Sequence, residues 1–444
     1  MAHAVSITEE DGTPISLTAT NWALRNYTMV EPEVVPLDGA AEASGTDLIG
    51  DVLYRRPTET IELYCYADTK ANMQIAYQAM QSLIYKAQLH QRRGTGKRVY
   101  LVVQLDGEAS AWQSEIISAR LELGGDALAL WPNVGMNVRM YITRRAYFEG
   151  DADVALDMTS SVTAEAAEVT ITNKNDTNWV GIAADQVTGS LPVPLKIQIK
   201  HNTAVTSYNT ITIINNASIS PGSFDAWMTG AESTAGNGTL NTSDPDGDTA
   251  IRRWQIPTAR LNMLLGAHVR ILVALSVMPS NAQFRGLIDA YDTSQYYTRF
   301  RGSLVDGSNQ VIDLGLFPLP PGGRSTGFNG IHFGLAARYE GALVATVSNI
   351  MFVPQDGIRR LVMYEDATLI TGDYIVDDPY VPETYYYDSD VPYKQPFAVG
   401  QSGPLWVYPG VVNRLHLLTA GASGYASTAQ QKIKAWFRPR RLTL

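Results

Sequence analysis

The sequence predicts a mainly β protein of several domains, β-sandwich or barrel in type, with one α-helix flanking its N-terminal domain. Three observations lead there. Short runs of alternating polar and apolar residues, bounded by Gly, Pro and Asn, recur along most of the chain, the pattern of half-buried strands between turns. Only one stretch, residues 69–92, keeps apolar side chains at i, i+3, i+4 and i+7 over several turns. The 444 residues also exceed what one hydrophobic core accommodates, so two or three domains are expected.

That helix lies between two strand patterns, and the first domain is organised around the unit they form. Residues 59–66 alternate polar and apolar, with Ile61, Leu63 and Cys65 on one parity. Asp68 or Thr69 then supplies an N-cap acceptor for the first free helix N–H groups. Met73, Ala76, Tyr77, Met80, Leu83, Ile84 and Ala87 form one apolar stripe. Arg92 and Arg93 suit the negative end of the helix dipole, and Gly94 ends the last turn. A second strand pattern follows at 98–105.

The remaining elements follow in chain order. Strand patterns at 15–18 and 22–24 precede the stretch 31–47, whose Pro, Gly, Ala and acidic residues read as a long loop. Such a loop is an arm that orders on a neighbour in an assembly, and only a loop in a monomer; the residues leave both readings open. Strand patterns at 114–123 and 138–145 complete an N-terminal β domain, 1–150. Beyond it Thr, Asn, Ser and Val dominate, with strands at 169–173, 195–200 and 210–214. Residues 151–219 and 355–444 are read as a second sandwich, closed by a terminal strand at 431–437. Residues 220–354 are read as an inserted, jelly-roll-like sandwich, with strands at 268–275, 283–288, 310–315, 331–335 and 344–353.

Composition narrows the function. The formal charge of −10 argues against a general nucleic-acid surface, which needs clustered Lys and Arg. One cysteine, Cys65, excludes an intrachain disulfide framework, and its apolar strand makes it a buried thiol rather than a nucleophile. With no basic-then-apolar leader pattern and no apolar run of about 20 residues, a soluble protein made in the cytoplasm is expected, with no membrane insertion.

Catalytic patterns are incomplete in this sequence. Residues 92–98 imitate a phosphate loop but lack its first Gly and the Ser/Thr after Lys97, and they follow a helix instead of starting one; a tight basic turn is the better reading. The six histidines show no close metal-ligand spacing, and no Gly-x-Ser-x-Gly elbow is present. No enzymatic activity and no resident cofactor are expected.

Two weaker site patterns remain. Asp244, Asp246 and Asp248 alternate around Gly247, as ligands of a hard cation such as Ca²⁺ do, but the bidentate Glu of a calcium hand is missing, and a solvated acidic turn competes with this reading. Trp227, Trp254, Tyr296 and Tyr297 in the inserted sandwich are candidates for stacking on glycan rings, against the ordinary reading of core aromatics. Tyr385 to Tyr387 read as a packing or interface loop.

Four segments resemble those of siphophage tail proteins, the distal tail proteins above all. They are the unit 61–105 with its basic turn, the basic-then-aromatic strand end at 138–148, Leu191-Pro192-Val193-Pro194-Leu195 within 189–197, and the terminal 436–444. The resemblance implies a virion structural protein whose first domain forms a homo-oligomeric ring, usually a hexamer, at the distal end of the tail tube. It also implies contacts with other tail proteins and outlying sandwiches resembling galectin-like or carbohydrate-binding modules. A tube subunit with decoration domains and a glycan-binding adhesin of the host surface are the alternatives.

Overall fold

The computed structural model describes residues 4–444 apart from 20, 36–45, 50–51, 125–134, 161–165, 173–178, 203–209, 216–237, 241–245, 257–267, 278–281, 293–294, 307–310, 319–329, 340–344, 355–357, 364–370, 382, 388–397, 402, 422–423 and 426–429. The protein is mainly β, with several antiparallel sheets and, among the described residues, one helix. No sheet closes into a barrel among those residues, so the barrel alternative gives way to layered sheets. The chain divides into two compact units, Met1–Val154 with Thr188–Val193 and Arg438–Leu444, and Ala155–Val187 with Pro194–Phe437.

In the first unit the strands are β1 (Ala4–Glu9), β2 (Ile15–Ser16), β3 (Trp22–Thr28), β4 (Val34–Val35), β5 (Thr46–Ile49), β6 (Val52–Arg55), β7 (Thr58–Tyr66), β8 (Val99–Gln104), β9 (Trp112–Leu123), β10 (Gly135–Arg144) and β11 (Phe148–Gly150), with α1 (Lys70–Arg93) between β7 and β8. The main sheet runs β2-β1-β8-β9-β10-β7-β3, and β11 also pairs with β9. Its apolar parity (Ile61, Leu63 and Cys65 on β7; Val138, Met140 and Ile142 on β10) is buried, and α1 buries Met73, Ala76, Met80, Leu83, Ile84 and Ala87 in the same core. The Thr69 hydroxyl caps the helix by accepting from the Asn72 N–H, and Gly94 ends it in the left-handed region at φ 61°. One helix is enough here because a sheet with a single apolar face needs a single cover.

The stretch 31–47, read as a loop, holds β4 and the start of β5, and β6 follows just beyond it. β4, β6 and β5 pair in that order into a small sheet of their own. Brevity hid them, since two to four residues carry too little periodicity to register.

In the second unit one sheet orders Gln430–Phe437, Lys196–His201, Tyr374–Asp378 and Glu383–Tyr387, with Val169–Thr172 also on Gln430–Phe437. Tyr385 to Tyr387 therefore lie on a strand and not in a loop; Tyr386 is buried and its hydroxyl donates to Asp373 at 2.7 Å. Residues between 238 and 354 supply two more sheets. In the four-stranded sheet, His268–Val277 runs between Ala345–Pro354 and Val311–Pro318. In the five-stranded one, Arg252–Ile256, Gly330–Arg338, Gln283–Tyr291 and Tyr296–Arg301 follow in order. Val269, Ile271 and Val273 of the first sheet and Trp254, Phe284 and Phe333 of the second share one apolar core, as facing layers of a sandwich do.

Candidate functional site

Three clusters of polar side chains organise the described residues, and the first is sealed. Glu59 sits on the same parity as Ile61, so β7 drives a carboxylate into the core; Arg144 does the same on neighbouring β10. Both side chains are fully buried. The guanidinium donates to Glu59 through Nη2 at 2.7 Å and Nε at 3.0 Å, while the Tyr27 hydroxyl (2.7 Å) and the Val30 N–H (2.9 Å) donate to the same carboxylate. Burial first, and the Glu59 charge second, push the Tyr27 phenol far above its ordinary range, so it serves only as a donor. Such a satisfied network locks strands in place and offers nothing to a ligand.

The second cluster pins the small sheet β4-β6-β5 within the first unit. Asp47 is buried, and its Oδ1 accepts from Arg145 Nη1 at 2.7 Å and from Arg56 Nε and Nη2, both at 3.0 Å. Its Oδ2 accepts from the Ala146 N–H at 2.8 Å. Burial alone would raise this carboxyl, but the Arg145 charge and the donated hydrogen bonds outweigh it and hold it below its ordinary range. The register puts Val34, Asp47 and Ile49 on one face and Val35 and Leu48 on the other; Ile49 and Val35 are buried, whereas Val34 and Leu48 keep 62 % and 57 % of their surface exposed. A small sheet held by a buried carboxylate thus presents apolar side chains to solvent.

A third feature brings together three of the four segments that carry the tail-protein resemblance. The strand Arg440–Arg441 pairs with β11, and Arg440 donates to Glu149 through Nε at 2.7 Å and lies 4.0 Å from the centre of the Tyr147 ring. The Ser190 N–H donates to the Arg440 carbonyl at 2.9 Å. Gly189 has φ +108°, and a Cβ there would meet that carbonyl oxygen at 2.7 Å, so only glycine lets the 189–190 turn approach.

The structure sorts the residues singled out from sequence. Trp227 and Asp244 lie outside the described residues. Asp248 is held by Arg285 and, at 3.1 Å, by Arg301. Among the described residues no group of three His, Cys, Asp or Glu is placed to hold a metal ion. Trp254 must be corrected: it is 2 % exposed and stacks on Phe333 at 6.0 Å inside the sandwich core, where no sugar reaches its faces. Strand Arg252–Ile256 turns Trp254 and Ile256 inward and Arg253 outward, a parity that its neighbouring arginines concealed.

Tyr296 is half-buried beside Tyr291 (4.6 Å) and His332 (5.2 Å), while Tyr297 is 42 % exposed. Sequence reasoning missed Arg253, which lies over Tyr296, and Asp289, which accepts from Arg253. Cys65 is buried, and burial pushes its thiol up to about 11. No helix among the described residues is long and apolar enough to cross a membrane.

No family model matches this chain, and neither does any curated protein. Among solved structures it is similar to the Dit protein of phage SPP1, described as a paradigm of the hub adsorption apparatus in phages that infect Gram-positive bacteria. That match has 8 % identity, covers 98 % of each chain and scores a TM of 0.35. A chain of the phage P2 baseplate in its activated conformation with Ca is 8 % identical over 99 % of this chain and 98 % of that one, at a TM-score of 0.29. The same baseplate with Sr matches at 9 % identity over 80 % of this chain and 98 % of that one, at 0.25. Scores this low leave the protein's role to be argued from its own residues.

Proposed function

We propose that this chain is a structural subunit of a phage tail, working by self-association and not by catalysis. In this reading the first unit forms a homo-oligomeric ring, a hexamer in the resemblance, at the distal end of the tail tube. The sheets of the second unit are then accessory sandwiches near the host-recognition apparatus. The protein would be made in the host cytoplasm, become part of the virion, and meet other tail proteins there.

The observation that carries the reading is the β4-β6-β5 sheet, anchored through Asp47, with Val34 exposed on one of its faces and Leu48 on the other. Apolar side chains fixed in this way favour burial against a partner, at roughly 25 cal/mol per Å² removed from water. In a closed ring every copy offers the same sheet once, and no apolar patch remains at a free end. Convergence of Phe148–Gly150, Gly189 and Arg440–Arg441 in one unit supports the same reading, because the resembling segments then belong to one structural element.

Size exclusion with mass measurement tests the proposal. The wild-type chain is expected at a multiple of its 48.5 kDa mass. Leu48→Asp is expected to shift it to the monomer while its melting temperature stays within about 2 °C, because the side chain is exposed. A wild-type chain that stays monomeric at high concentration overturns the ring.

A further inference from the structure

The geometry points to a binding site for anionic saccharides on the outer face of the five-stranded sheet, centred on the Arg253 guanidinium. This inference is independent of the tail reading. On that face the register sets Gln255, His332, Asp289 and Thr298 side by side on four successive strands, with Arg253, Gly334 and Leu287 in the next row. Gly334 leaves open the lane that the Arg253 side chain crosses. A Cβ there would meet the Ala250 Cβ at 2.9 Å and Asp289 Oδ2 at 3.2 Å. Arg253 Nε donates to Asp289 Oδ2 at 2.8 Å, and its guanidinium carbon lies 4.2 Å from the centre of the Tyr296 ring.

Asp289 and Tyr296 thus hold Arg253 from two sides and fix the plane of its fork. The Asp289 side chain is wholly buried and engages only Nε; the two terminal nitrogens donate to none of the described residues, and the side chain keeps 20 % of its surface exposed. Asp289 Oδ1, also buried, accepts no hydrogen bond from them either. Buried carboxylates are normally fully satisfied, and this one acts as the positioning residue behind the fork.

The ligand class follows from what such a fork recognises. A planar guanidinium with two free terminal nitrogens matches a carboxylate or a phosphate, with two parallel N–H···O bonds. Tyr296 is taken up between Arg253 and Tyr291, which leaves the half-buried Tyr291 as the aromatic contact for a pyranose ring, and Gln255 and the exposed Thr298 supply hydroxyl partners. Among the described residues, ion pairs on this face set Arg253 against Asp289, and Arg285 and Arg301 against Asp248.

Calorimetric titration of the full-length chain with trigalacturonate, glucose 6-phosphate and maltotriose provides the test. At least one of the two anionic sugars is expected to bind, and maltotriose at least about tenfold more weakly. Arg253→Lys, which keeps the charge but removes the fork, is expected to weaken that binding by about tenfold or more. Tyr296→Ala is a second variant with the same expected direction, and circular dichroism checks that both remain folded. The site is overturned if neither anionic sugar binds, if maltotriose binds equally well, or if both folded variants bind like the wild type.

Discussion

Arg144 and Arg253 each hold a buried carboxylate and set their guanidinium carbon over an aromatic ring, at 4.1 Å from the centre of Phe148 and 4.2 Å from that of Tyr296. They differ in what the rest of the guanidinium does. Both Nε and Nη2 of Arg144 are committed to Glu59, Nη1 donates to the Arg145 carbonyl at 2.9 Å, and neither partner is exposed. Arg253 spends only Nε on Asp289 and stays partly open. The same pair of residue types is a lock where every donor is committed, and a recognition device where two are left over. Burial of the arginine, and not the presence of the ion pair, separates structural from functional use.

Substitutions can break that contrast, and the largest effect is expected at Arg144. Arg144→Ala leaves Glu59 buried without its counter-charge, and a loss of about 3–5 kcal/mol in denaturant unfolding is expected. A loss below about 1 kcal/mol would mean that water reaches Glu59 and that the lock is not sealed.

A fully buried ionisable group that carries no charge sharpens the comparison. Burial, with a smaller contribution from Arg414, pushes the His416 imidazole down to about 3 from its ordinary 6.5. Between those values the unfolded chain binds a proton that the folded one does not, so stability falls as pH drops from 6.5 toward 3 and is fully present above 6.5. From pH 6.5 to 5 the loss is on the order of 2 kcal/mol. His416→Leu should remove that slope from the melting profile; an unchanged slope would assign it to other groups.

The smallest stability effect belongs to the open pair. Arg253→Lys keeps a cation beside Asp289 and gives up one hydrogen bond, so less than about 1.5 kcal/mol is expected, against the large loss of anionic-sugar binding predicted above. A stability loss as large as that of Arg144→Ala would make Arg253 a second lock and erase the distinction.

Part of this was legible in the chain. Glu59 falls on the parity of Ile61, Leu63 and Cys65, and Arg144 on that of Val138, Met140 and Ile142. Opposite charges on the core parity of strands that pair are a readable sign of a buried ion pair. The Asp289 cluster gave no such sign. Gln283–Tyr291 is buried on both faces, and a register shift between Ile288 and Asp289 breaks the alternation where it matters. Trp254 misled for a related reason: composition marks an aromatic as a candidate, but only strand parity tells whether its face meets solvent or Phe333.

By itself the sequence determined the β class, the single helix with its caps, and most strands longer than five residues, because periodicity and turn chemistry act over neighbouring positions. The terminal strand expected at 431–437 is there as Gln430–Phe437, and in the structure it pairs with Val169–Thr172 and Lys196–His201. Only the tertiary structure decided that Asp47 would anchor the β4-β6-β5 sheet through Arg145, 98 positions away. It alone set Arg253 against Asp289, 36 positions on. Such contacts depend on which strands become neighbours and on where a glycine leaves room, and neither is written in local pattern.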